Sequence, residues 1–217
     1  MALCFDVAER LYNLFGCVIL IGIIISLCHS DTSANEPAKS HDGIVPDTDM
    51  FIKVVIDEQK LYFIKGQAVI SEYPVSTSKY GIGSKSGSNR TPLGNHRVAE
   101  KFGKDAPVNT IFKSRANTGK TARINHSPVP VNQDIITSRI LWLEGLDDGL
   151  NLGRDVDSYK RYIYIHGTAD EGLIGVPASH GCIRMRNADV IELFDNVPVG
   201  TKVIIQETKN LPDREAD

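Results

Sequence analysis

The residues able to do chemistry sit in two short strings, Ser179-His180-Gly181-Cys182-Ile183-Arg184 and, upstream, His166-Gly167-Thr168. A thiol attacks a carbonyl well only when a neighbouring group takes its proton or lowers its pKa. Histidine does this near neutral pH. Cys182 is therefore the candidate nucleophile and His166 the candidate proton acceptor and donor. The tetrahedral intermediate of such an attack needs donors aimed at its oxyanion. Gly181 permits a tight backbone approach, so amides from His180 to Cys182 can converge on one oxygen. Arg184 carries a fork suited to a substrate carboxylate. Two other readings use the same residues. A zinc site from His166, His180 and Cys182 has suitable ligand types but lacks a fourth ligand at motif spacing. A structural cysteine packed by histidines needs no chemistry at all.

The distribution of thiols favours catalysis. Of four cysteines, Cys4, Cys17 and Cys28 lie in an N-terminal apolar region, and Cys182 stands alone in the rest. Residues 14–27 carry no charge. That run is short for a bilayer span and right for the core of a signal peptide. We expect residues 1–34 to be a signal peptide, cut after Ala34, or an N-terminal membrane anchor; the two stay open. Residues 35–49 are polar and read as a linker. The main domain is expected over 50–207, followed by a polar tail at 208–217. An exported domain with one thiol makes no internal disulfide, and a lone thiol in an oxidising compartment is a liability unless used. No sugar-binding repeat precedes the domain in this sequence, so wall targeting is expected to fall to the anchor or the active-site groove.

Composition narrows the classes further. Lys and Arg total 24 against 27 Asp and Glu, for a net charge of −3 over 217 residues. With no basic excess, nucleic acid is not an expected partner. Hydrophobic residues at 41% against 24% charged suit a folded domain.

The elements that must position these groups read as mostly strands. Ile52, Val54 and Ile56 alternate with Lys53, Val55 and Asp57, and strands follow at 61–64 and 68–75 with turns between. Residues 76–95, rich in Gly, Ser, Thr and Lys, predict a long functional loop without phosphate-loop spacing. Further strands are expected at 97–101, at 136–144 with Trp142, at 162–166 and at 201–205. Residues 103–135 read as irregular. Asn187 is expected to cap a helix over 188–195. The fold class is mainly β, sandwich- or barrel-like, with one short helix after the cysteine loop.

The string Tyr162 to Met185, YIYIHGTADEGLIGVPASHGCIRM, resembles the signature of the L,D-transpeptidase (YkuD) catalytic domain. The Thr91-Pro92-Leu93-Gly94 segment, GRDVDSYKRYIYIHG and VPVGTKVII are similar to the same family, so the resemblance covers about 51–207. It implies a cysteine acyltransferase of the bacterial cell envelope, on the extracytoplasmic side, without cofactor or metal. The implied partners are peptidoglycan stem peptides as donor and acceptor, carbapenem-type inhibitors, and the membrane through the N-terminal segment. The implied chemistry is attack of Cys182 on a diaminoacyl carbonyl, loss of the terminal D-alanine, and transfer of the acyl group to an amine. A carboxypeptidase or hydrolase acting through the same acyl-enzyme stays open. Residue by residue, the resemblance gives Cys182 as nucleophile and His166 as proton donor and acceptor. It gives Gly167, Ser179, His180 and Gly181 as support for the oxyanion site and Arg184 as a substrate contact. His96 departs from the family, which more often has an aromatic there, and His126 reads as a surface residue.

Overall fold

The computed structural model describes residues 49–130 and 134–208. The chain divides into residues 1–42 and a second, compact unit, Gly43–Asp217. The first lies outside the described residues, as do the expected signal or anchor segment, all but the last residue of the linker, and nearly all of the polar tail. Among the described residues no helix is long and apolar enough to cross a membrane.

The second unit is mainly β with one α-helix. Strands β1 (Met50–Val55), β2 (Lys60–Lys65) and β3 (Ala68–Pro74) form the expected meander. They are followed by β4 (Gly94–Phe102), β5 (Thr110–Lys113), β6 (Ala116–Thr121) and the long β7 (Ile136–Gly145). Then come β8 (Tyr164–Thr168), a 3-10 turn at Glu171–Leu173, β9 (Ile183–Met185), α1 (Asn187–Asn196) and β10 (Lys202–Gln206). The strands hydrogen-bond as one sheet, in the order β3-β2-β1-β10-β4-β7-β5-β6, with β8 branching from β7 and carrying β9. The sheet does not close into a barrel.

One core unites it. Ile52, Val54, Leu61, Val98, Leu141, Leu143, Val203 and Ile205 are buried together with Val190, Leu193 and Phe194 of α1. Period-two alternation supplies the strand residues, and the helical stripe supplies the rest. Lys101 closes the end of α1, its Nζ donating to the carbonyls of Phe194 and Val197 at 2.6 Å each. A cation suits the negative end of a helix dipole.

Two sequence expectations are revised. The stretch 103–135 contains the β5–β6 hairpin. Its turn residues Ser114 and Arg115 both adopt positive φ, 48° and 68°. That turn class normally announces itself with Asn-Gly or Gly, and every residue of β6 is exposed, so neither turn nor period was visible. Asn187 is not the helix cap. It is the first helical residue, after Arg186, and no side chain caps this end. Its amide instead ties three elements together. Thr137 and Ser138 hydroxyls of β7 donate to its Oδ1 at 2.6 Å each, and its Nδ2 donates to the Thr168 carbonyl and to Glu171.

Candidate active site

Strands β8 and β9 are parallel neighbours, with Ile165 opposite Ile183 and His166 opposite Arg184. Ile163, Ile165, Ile183 and Met185 point into the main core. Alternation then sends Tyr164 and His166 of β8, and Cys182 and Arg184 beside them, to the other face. There Cys182 packs against a smaller cluster of Phe112, Ile140, Trp142 and Tyr164. Adjacent strands lie about 4.8 Å apart, so this register brings the His166 and Cys182 side chains into one neighbourhood.

Cys182 is a free thiol, half-buried. Its Sγ accepts from the Tyr164 amide and donates to the Tyr162 carbonyl, both at 3.4 Å. Burial pushes the thiol up to about 12. The Tyr164 amide, Arg184 and Arg161 pull it down, and the Asp134 charge adds to the rise. Neighbours that lower the thiol pKa were expected; here burial outweighs them. At rest the nucleophile is therefore a neutral thiol.

His166 is buried, with 1% exposure. Its Nδ1 lies 2.7 Å from the carbonyl of Gly167. A carbonyl only accepts, so Nδ1 carries the proton and Nε2 of the neutral ring holds a lone pair. Burial lowers its pKa, with Asp134 and the Gly167 carbonyl opposing. The ring is thus neutral at neutral pH and able to take a proton. Gly167 has a steric role as well. A Cβ there would lie 2.6 Å from the Thr137 carbonyl and 2.7 Å from Asn187 Oδ1. Only a residue without a side chain lets β7 approach this closely.

Asp134, invisible in the sequence, joins the remaining groups. Its Oδ1 pairs with Arg184 Nη2 at 2.6 Å, and its Oδ2 accepts from His180 Nδ1 at 2.9 Å. Burial opposes its ionisation, but Arg184, His166 and His180 outweigh that and hold its carboxyl below the usual range. Arg184 is 4% exposed, and its guanidinium, expected to meet a substrate carboxylate, pairs with Asp134. His180 is exposed and tied to Asp134. Among the described residues no group of three or more His, Cys, Asp and Glu is placed to hold a metal ion.

The cysteine loop is shaped from within and braced from without. Ser179 donates its hydroxyl to the Cys182 carbonyl at 2.6 Å and accepts from the Gly181 amide at 3.2 Å. Of the amides expected at the oxyanion, that of Gly181 is thus engaged inside the turn. Gly181 adopts φ +121°, a conformation that disfavours any side chain. From outside, the buried Thr91 hydroxyl donates to the Gly181 carbonyl at 3.0 Å. Thr77 O accepts from Ala178 and Ser179, and Ser76 and Arg184 exchange two backbone bonds. The long loop 76–95 is therefore a brace for the cysteine loop. Gly94 at its end, with φ +98°, has no room for a Cβ, which would lie 2.4 Å from Asp147 Oδ2. His96 is buried between the Gly94 carbonyl and the Ser158 hydroxyl, and His126 is exposed.

A cleft of about 310 Å³ is lined by Ser86, Asn89, Lys160, Arg161, Tyr162 and His180 among others. Arg161 holds its rim, donating to the Arg90 carbonyl at 2.7 Å.

Comparison with known proteins identifies the family. The model of the L,D-transpeptidase catalytic domain (YkuD) matches residues 49–205. Among curated proteins, the chain is 30% identical over 159 residues to Probable L,D-transpeptidase YcfS of Escherichia coli K12, covering 72% of this chain and 44% of that protein. It is 58% identical over 45 residues to Probable L,D-transpeptidase ErfK/SrfK of the same organism, 21% of this chain and 14% of that protein. The chain thus spans less than half the length of these relatives. Among solved structures, an L,D-transpeptidase from Mycobacterium smegmatis is similar at a TM-score of 0.44 and 19% identity, over 73% of this chain and 58% of that one.

Proposed function

Since the chain belongs to the L,D-transpeptidase catalytic domain (YkuD) family, we propose that it is a cell-envelope transpeptidase acting on peptidoglycan stem peptides through a Cys182 acyl-enzyme. What carries the reading is the placement, on one face of neighbouring chain segments, of a half-buried free thiol and a buried histidine whose Nδ1 is fixed by the Gly167 carbonyl. A neutral thiol and a neutral imidazole call for proton transfer during attack, without a preformed ion pair. His166 Nε2 takes the thiol proton as Sγ bonds to the diaminoacyl carbonyl carbon. Amides of the cysteine loop, whose shape Ser179 and Gly181 set, receive the oxyanion. Asp134, through Arg184 and His180, holds the wall of the site. The intermediate collapses with loss of the C–N bond, and His166 returns the proton to the departing D-alanine amine. A thioester on Cys182 remains. An acceptor amine, from a second stem or from a protein, then attacks with His166 again as base. With water in that place the product is a shortened stem. Because the substrate lies outside the membrane, we place the domain on the extracytoplasmic side.

The test is intact-mass measurement after incubation with a disaccharide-tetrapeptide or a carbapenem. Wild type is expected to gain one acyl mass on Cys182, and Cys182→Ala none. An adduct persisting in Cys182→Ala sinks the assignment. Products formed with and without an added amine identify the acceptor.

A further inference from the structure

A second charged feature of this site lies at the far end of Tyr164 from the thiol. Arg115 Nη1 donates to the Tyr164 hydroxyl at 3.1 Å, while the Tyr164 amide donates to Cys182 Sγ at 3.4 Å. One tyrosine side chain therefore separates guanidinium from nucleophile. The β5–β6 turn delivers Arg115, with left-handed backbone at both Ser114 and Arg115. Such φ values are uncommon outside glycine and asparagine, and they cluster at functional positions.

The guanidinium rests on an aromatic floor. It lies 4.5 Å from the Trp142 ring centroid and 5.4 Å from that of Tyr162. Trp142 is itself stacked on Tyr159 at 3.9 Å and meets Tyr164 edge-on. Stacking uses the π face of the guanidinium and leaves its N–H edge available. That edge has five donors, of which one goes to Tyr164. Among the described residues Arg115 is in no ion pair. Glu100, whose field reaches it, accepts from the Tyr159 hydroxyl. The other cations near Cys182 are engaged: Arg184 by Asp134, Arg161 by the Gly83 and Arg90 carbonyls, Lys160 by Asp157.

We infer that Arg115 is the carboxylate-binding residue of the site, holding the free terminal carboxylate of the donor residue that leaves. The inference rests on the acyl-enzyme reading above. Its geometry suits that reading. A residue adds about 3.5 Å beyond the scissile carbonyl. A charged hydrogen bond adds about 2.8 Å. With a sulfur-to-carbonyl approach of about 3 Å they reach about 9 Å, against a gap that is at most one tyrosine side chain with its hydrogen bonds of 3.4 Å and 3.1 Å. Arg115 thus sets specificity for a donor ending one residue past the scissile bond, and it restrains that residue until the amine departs.

The experiment compares acylation of full-length protein by a tetrapeptide donor with a free C-terminal carboxylate and by the same peptide as its C-terminal amide. Wild type is expected to prefer the acid. Arg115→Met should lower kcat/KM for the acid about 10- to 100-fold, mostly through KM, and leave the amide within about twofold. Arg115→Lys should recover part of the preference. Equal losses for acid and amide in Arg115→Met overturn the assignment in favour of a structural role. So does an unchanged preference in that variant, or no preference in wild type. Absence of any adduct on wild-type Cys182 overturns the acyl-enzyme reading itself and this inference with it.

Discussion

Asp134 and Arg184 meet at 2.6 Å, the carboxylate from the foot of β7 and the guanidinium from β9, two residues past the nucleophile. The arginine side chain is 5% exposed and the aspartate 32%. That asymmetry sets the cost of breaking the pair. Asp134→Asn leaves a buried cation unpaired and should destabilise by roughly 2–4 kcal/mol. Arg184→Met leaves a carboxylate that reaches water and should cost less. The double variant should recover part of the Asp134→Asn loss. Urea unfolding of the three variants checks this, and additive losses would argue against coupling.

Gly167 supplies the carbonyl that holds His166 and sits where a Cβ would meet the Thr137 carbonyl at 2.6 Å. Gly167→Ala should force β7 and β8 apart, at a cost of about 1–3 kcal/mol. Acylation should slow by more than that loss of folded protein explains, because the ring anchor moves too. Melting temperature and single-turnover acylation, measured together, separate the two effects.

Thr91 links the loop brace to the cysteine loop. Its hydroxyl donates to the Gly181 carbonyl and accepts from the Ser78 amide. Thr91→Val leaves both buried groups without this partner, costing about 1–3 kcal/mol. Thr91→Ser should restore stability and acylation nearly to wild type. A fully active Thr91→Val would show that the brace does not position the thiol.

Cys182 is held as a thiol by burial, near 12. At pH 8 its alkylation by iodoacetamide should run about 10- to 100-fold slower than that of a free thiol, the low thiolate fraction being partly offset by higher intrinsic nucleophilicity. The rate should keep rising with pH beyond 9. A plateau near pH 7 would reveal a thiolate–imidazolium pair instead. Slow alkylation with fast acylation by a donor peptide is the expected combination.

His96 is buried as a neutral ring, its pKa lowered by burial to about 4 from 6.5. Below 6.5 the unfolded chain takes up this proton, while the folded chain resists until about 4. The contribution of the neutral ring is complete above 6.5 and is lost as pH falls toward 4, up to about 3 kcal/mol. Unfolding free energy measured from pH 7 to 4 should fall accordingly. His96→Gln should flatten the dependence over that window, and an equally steep variant would assign it to other groups.

The sequence by itself determined the strands and pointed to the pair proposed to react, for local reasons. Alternation at Ile52-Val54-Ile56 and β-branched content around Ile165 fix extended chain, because the pleat repeats every two residues. Cys182 and His166 were read from type, spacing and family resemblance, and Gly181 from the tight backbone approach it permits. Other features depended on tertiary structure. Asp134 lies in a stretch with no periodicity, and only the placement of β7 beside β8, which carries β9, brings its carboxylate to Arg184 and His180. Strand β6 has no apolar face and the hairpin turn has no glycine, so Arg115 could not be placed at the site from local pattern. The state of the thiol was decided by burial, which sums contributions from several strands and overrides the neighbours that chain order brings close. Local conformation follows from near neighbours in the chain; charge partners and desolvation follow from which distant segments pack together.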